Sequence, residues 1–115
     1  MNNSGNGRAL DREVALDRVG GDPALLKEIA VLFLDNYHAW LSELREAAGR
    51  GDAEGVEHTA HGLKGSVANF GAQAAVDAAL RLENLGRSRD LTDVSTSLSA
   101  LESALSELRP ELESL

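Results

Sequence analysis

Val94, Leu98, Leu101, Leu105, Leu108 and Leu112 step by 4, 3, 4, 3 and 4 residues along the last quarter of the chain. Only a helix gathers such positions onto one side, and the run reads as the seam of a helix packed in a bundle. Asp90 is read as opening this helix, and Pro110 as the residue that ends or bends it. The same rhythm recurs upstream. Leu26, Ile29, Ala30, Phe33, Tyr37, Trp40, Leu41, Leu44 and Ala48 follow helical spacing after Asp22-Pro23, an N-cap followed by proline at the first helical position. Gly49 and Gly51 bracket the end of that long helix. Val56, Ala60, Leu63 and Val67 form a third stripe behind the candidate N-cap Asp52, extended by Phe70 before Gly71. Ala75, Val76, Ala79, Leu82 and Leu85 define another helix, from about Ala72 to Gly86.

A short first helix over Asp11 to Val19, with Val14, Leu16 and Val19 partly buried, stops at Gly20-Gly21. Met1 to Gly7 is polar and rich in Asn and Gly, and is expected to be a disordered tail. Residues 8–115 are then one domain: an all-α, antiparallel up-down four-helix bundle with a short additional N-terminal helix. The heptad of the last helix would also suit a dimer. A monomer is favoured, because every bundle helix needs one apolar face for its own core.

Composition narrows the function. The net charge of −8 argues against nucleic acid as a partner, because phosphate binding needs a basic face. The absence of cysteine excludes disulfides, thiol catalysis and cysteine-ligated zinc. No apolar run approaches the ~18 residues of a membrane span, and no signal-peptide pattern opens the chain. A soluble, cytoplasmic protein is expected.

The third helix carries the chemistry. Its stripe fixes the inward direction, and at ~100° per residue His61 points about 130° away from it. Lys64 lies on the near side of His61, Gly65 one turn on, and Ala68 beyond. A mid-helix glycine costs ~1 kcal/mol against alanine, and Gly62 and Gly65 incur that cost twice within one turn. Close approach of a partner to the histidine would account for them. Imidazole is mostly neutral and nucleophilic at pH 7. It can take up a phosphoryl group through nitrogen and pass it on. Lys64 would offset charge on the phosphoryl oxygens. His58, three residues before His61, either rims the same surface or is simply solvated; the two nitrogens, with only Glu54 and Glu57 nearby, make a poor metal site, and none is expected.

His61-Gly62-Leu63-Lys64-Gly65-Ser66, followed by Asn69-Phe70-Gly71-Ala72, closely resembles the phosphoacceptor motif of histidine-containing phosphotransfer (Hpt) domains. Gly20-Gly21-Asp22, Leu25-Leu26, Leu32-Phe33-Leu34, Leu44-Arg45-Glu46-Ala47, Gly51-Asp52 and Leu80-Arg81-Leu82-Glu83 extend the resemblance over nearly the whole chain. It implies that His61 is the phosphoacceptor, Lys64 its electrostatic support, and His58, Gly62, Gly65 and Ala68 part of a partner-docking surface. It also implies that Glu83, on the next helix, hydrogen-bonds the histidine. Glu83 borders the apolar face through its spacing from Ala79 and Leu80, and a carboxylate accepting from Nδ1–H would leave Nε2 as the nucleophile. His38 stands where the family often has proline, which should straighten the second helix.

The function implied is that of a phosphorelay intermediate. It would accept a phosphoryl group from a receiver-domain aspartate and donate it to another receiver. Its partners would be response-regulator receivers or a hybrid sensor histidine kinase. The required Mg²⁺ would sit in the receiver, so the chain is a phosphocarrier without a cofactor of its own. Two alternatives remain. A histidine-kinase dimerisation fragment usually has an acidic residue after the histidine and a proline soon beyond; here Gly62 follows, and no proline lies between Pro23 and Pro110. The other is a pure interaction bundle in which His61 is incidental.

Overall fold

The computed structural model describes residues 9–115, so the sequence reading of residues 1–7 as a disordered tail lies outside the described residues. Five helices follow one another: α1 (Arg12–Arg18), α2 (Pro23–Gly49), α3 (Ala53–Ala68), α4 (Gln73–Ser88) and α5 (Val94–Glu113). Every regular element among the described residues is helical. Short turns make consecutive helices antiparallel. α2 packs on α3, α3 on α4, α4 on α5 and α5 back on α2, closing a four-helix ring, with α1 against α2 at one end.

The caps explain most boundaries. Asp22 accepts hydrogen bonds from the amides of Ala24 and Leu25, with Pro23 in the first turn where no amide is needed. Asp52 accepts from the amide of Gly55, and Asp11 from that of Val14. α2 runs unbroken for 27 residues through His38, about 40 Å at 1.5 Å per residue, which matches the 40 Å longest extent of the molecule.

Each stripe meets the others in one apolar core. Val56, Ala60, Leu63 and Val67 are all buried, as are Leu101, Leu105, Leu108 and Leu112. Phe33 stacks on Tyr37 at 5.4 Å between ring centroids and meets Phe70 edge-on at 5.5 Å. This joins α2 to the turn that follows α3. Trp40 is half-buried beside them, 6.0 Å from Phe33.

The structure corrects several details. In α1 the buried residue is Ala15, whereas Val14 is exposed and Leu16 and Val19 are half-buried. Ala47 rather than Ala48 ends the inner face of α2. α4 begins one residue after Ala72 and continues past Gly86 to Ser88, so Gly86 lies within the helix. Asp90 does not open α5: its Oδ1 accepts from the amide and hydroxyl of Thr92, which closes a turn, and α5 begins at Val94 after Asp93. α5 also continues through Pro110 to Glu113. Pro110 is exposed; its missing N–H costs the helix the one bond to the Ser106 carbonyl, and the chain stays helical through Glu113 beyond it.

One further tie closes the α1 end. The Glu111 carboxylate accepts the amides of Ala9 and Leu10, each at 3.0 Å, and the Asp11 amide donates to the Phe70 carbonyl at 3.0 Å. Gly71 makes the close approach possible. Its φ is +60°, and a Cβ there would lie 2.7 Å from that of Asp11.

Candidate functional site

The site forms where α3 and α4 run side by side. Gly86 sets their separation. A Cβ at Gly86 would lie 2.6 Å from both the Ala53 carbonyl oxygen and the Glu57 nitrogen, so the backbones meet with no side chain between them. One turn before Gly86, Glu83 faces α3 and is buried.

The Glu83 carboxylate organises the cluster. Its Oε2 lies 2.9 Å from His61 Nδ1 and 2.8 Å from Arg87 Nη2. Its Oε1 lies 2.6 Å from Lys64 Nζ, but no well-aligned hydrogen-bond donor reaches that oxygen. The Lys64 contact is therefore an ion pair with poor hydrogen-bond angles. Arg87 also reaches back to α3, with Nε 3.3 Å from Glu57 Oε2. The side chain of Glu83 is 4% exposed, that of Lys64 27%, and that of His61 69%.

The electrostatics follow from this geometry. The Lys64 ammonium, together with the His61 ring, holds the Glu83 carboxyl below its ordinary value of 4.5, against the opposing effect of burial. Glu83 is thus an anion at neutral pH and can only accept. His61 must then carry its proton on Nδ1, which leaves the Nε2 lone pair free on the exposed side of the ring. The arrangement fixes one nitrogen of a surface imidazole and presents the other to solvent.

The structure brings His61, Lys64 and Glu83 into direct contact. His58, Gly62 and Gly65 are exposed on α3, and Ala68 is half-buried. A Cβ at Gly62 or Gly65 would meet nothing within 4 Å, so neither glycine is required by packing within the chain. Among the described residues, no group of three His, Asp or Glu side chains converges as metal ligands would. Lys64 is found against Glu83, not free in solvent. Sequence reasoning passed over Arg87 and treated Gly86 as a helix terminus. The spacing of Glu83 and Arg87, four apart on one helix face, was the available signal for the first.

Fold and site together define a class: an antiparallel helical bundle with an oriented imidazole on its outer surface. Residues 28–111 match the Hpt domain, and the chain belongs to that family of histidine phosphotransfer proteins. The fold is similar to that of histidine-containing phosphotransfer protein B (HptB) from Pseudomonas aeruginosa PAO1, with a TM-score of 0.86, 23% identity and 95% of each chain covered. No curated protein sequence matches the chain. No helix among the described residues is long and apolar enough to cross a membrane.

Proposed function

We propose that His61 carries the phosphoryl group of a phosphorelay, taking it from an aspartyl phosphate on one receiver domain and giving it to the aspartate of another. The observation that carries this reading is the 2.9 Å contact between Nδ1 and Glu83 on a ring whose side chain is 69% exposed. The Nε2 lone pair attacks phosphorus and a P–N bond forms. The bond from phosphorus to the aspartyl oxygen breaks, and its electron pair returns to the carboxylate. The Nδ1 proton stays in place, so the ring gains positive charge beside the Glu83 anion. The second transfer reverses these steps on a new aspartate.

Lys64 supports the phosphoryl oxygens. Gly62 and Gly65, with His58 and Ala68 around them, form the docking surface on which a receiver brings its aspartate to the ring. The Mg²⁺ belongs to the receiver, and this chain contributes no cofactor. It acts as a monomeric phosphocarrier in the cytoplasm, within a single domain spanning residues 8–115.

The test is transfer of label from a panel of ³²P-phosphorylated receiver domains. Wild type should take up label that is stable to alkali and labile to acid, and His61→Gln should take up none. Label acquired from ATP alone would favour a kinase fragment. An unlabelled protein across the panel would favour a simple interaction bundle.

A further inference from the structure

Glu83 has two cations, and transfer makes competing demands on one of them. Lys64 lies three residues from His61 and is the cation placed to reach a phosphoryl group on Nε2. In the unphosphorylated protein, however, its Nζ sits 2.6 Å from Glu83 Oε1. A carboxylate with 4% of its side chain exposed is strongly penalised if it loses its only counter-ion. Lys64 alone would therefore be held back by the group that orients the histidine.

Arg87 resolves the conflict. Its Nη2 lies 2.8 Å from Oε2, the oxygen that also accepts from His61 Nδ1. Its Nε lies 3.3 Å from Glu57 Oε2 on α3, and its Nη1 lies 3.4 Å from Asn84 Oδ1. The Arg87 side chain is 60% exposed, yet three acceptors hold its guanidinium. The fork is engaged on the Nδ1 side of the ring, away from the nitrogen that receives phosphorus. Gly86 keeps Glu57 close enough to complete the bridge, because α3 and α4 touch there through backbone.

We infer that Arg87 is a positioning residue, the second counter-ion that keeps the buried Glu83 carboxylate compensated while Lys64 turns to the phosphoryl group on His61. The inference rests on the phosphorylation of His61 proposed above. Arg87 acts through Glu83 and does not contact the transferred group. Once Lys64 leaves, Oε2 still holds Arg87 and the Nδ1 proton, so the ring stays oriented through both transfers.

The test compares wild type, Arg87→Gln, Glu83→Gln and the double variant for the rate of transfer from a phosphorylated receiver. Arg87→Gln should slow transfer at least about tenfold, the scale of one charge-assisted hydrogen bond, and Arg87→Lys should restore most of the rate. In the Glu83→Gln background no buried anion remains to be compensated. There, loss of Arg87 should change the rate by less than about twofold, since coupling through Glu83 is gone. Equal slowing in both backgrounds would mean that Arg87 meets the phosphoryl group or the partner directly, and would overturn the inference. No slowing in either would overturn it too.

A second readout needs no phosphate. Carbon-13 titration of the Glu83 carboxyl should show its midpoint raised in Arg87→Gln and returned by Arg87→Lys; an unmoved midpoint overturns the pairing. A wild-type protein that takes no label from any receiver would instead overturn the proposed function. A labelled wild type with an unmoved Glu83 midpoint would overturn this inference alone.

Discussion

Three glycine-to-alanine substitutions on two neighbouring helices should change stability with opposite signs. Gly62 and Gly65 lie inside α3, and a Cβ at either meets nothing within 4 Å. Alanine there removes only the entropic penalty of glycine, worth ~1 kcal/mol at each site. The double variant should gain about 2 kcal/mol, because neither new methyl has a neighbour to disturb. For a domain of this size, each kcal/mol raises Tm by roughly 4 °C. Gly86 is also helical, so alanine should gain the same ~1 kcal/mol of propensity. There, however, the methyl would lie 2.6 Å from the Ala53 carbonyl oxygen and 2.9 Å from Glu57 Cα, both backbone atoms. No rotamer relieves this contact, and α3 must retreat. Overpacking of this kind costs ~1–3 kcal/mol or more, so Gly86→Ala should lose net stability.

Urea denaturation with a shared m-value measures all three. Stabilisation at Gly62 and Gly65 combined with slower phosphotransfer would show that these glycines serve a partner at the expense of the fold. A destabilised Gly62→Ala or Gly65→Ala would refute the reasoning, since it would mean the glycines have an internal task. A stabilised Gly86→Ala would mean that the α3–α4 contact is looser than the distances imply.

Other outcomes follow from the ion pairs and caps. Because the folded state holds the Glu83 carboxyl below 4.5, its contribution to stability is full above that pH and is lost as pH falls through the folded value; urea midpoints from pH 7 to 3 should decline more steeply in wild type than in Glu83→Gln. Glu111→Ala removes the acceptor of the Ala9 and Leu10 amides and should cost about 1–2 kcal/mol; hydrogen exchange at Leu10 should accelerate while the α3 core amides stay protected. Gly65→Gln should melt no lower than wild type by circular dichroism, since its side chain meets nothing in the fold, and should abolish transfer from receivers; unchanged transfer would remove Gly65 from the docking surface.

Most of the helical architecture was legible because one physical rule governs it. A stripe such as Val56, Ala60, Leu63 and Val67 has a single inward direction, and all four residues are buried. The errors lie where local chemistry competes with periodicity. Asp90 looked like a cap, yet its carboxylate is taken up by Thr92 and the helix waits for Val94. Val14 fits a helical stripe, but α1 is only seven residues long and touches the bundle through Ala15. Gly86 carries both meanings of glycine, helix stop and close contact. Only the packing of α3 against α4 tells them apart.

The candidate site shows the same division more sharply. His61, Lys64 and the two open glycines belong to one helix, so their common face follows from spacing alone. Glu83 and Arg87 act across a helix–helix seam, where spacing within α4 says which residues share a face but not what that face meets. Their partners on α3 are His61, Lys64 and Glu57. The seam explains why the carboxylate is useful. On an exposed face Glu83 would be solvated, and its bond to Nδ1 would compete with water. At 4% side-chain exposure it competes with little and fixes the ring. The same burial makes its charge costly, so one cation is insufficient if that cation must also attend to phosphate. If Lys64 turns to a phosphoryl group as proposed, the buried carboxylate needs another cation, and Arg87, with Nη2 2.8 Å from Glu83 Oε2, is the residue the fold places there.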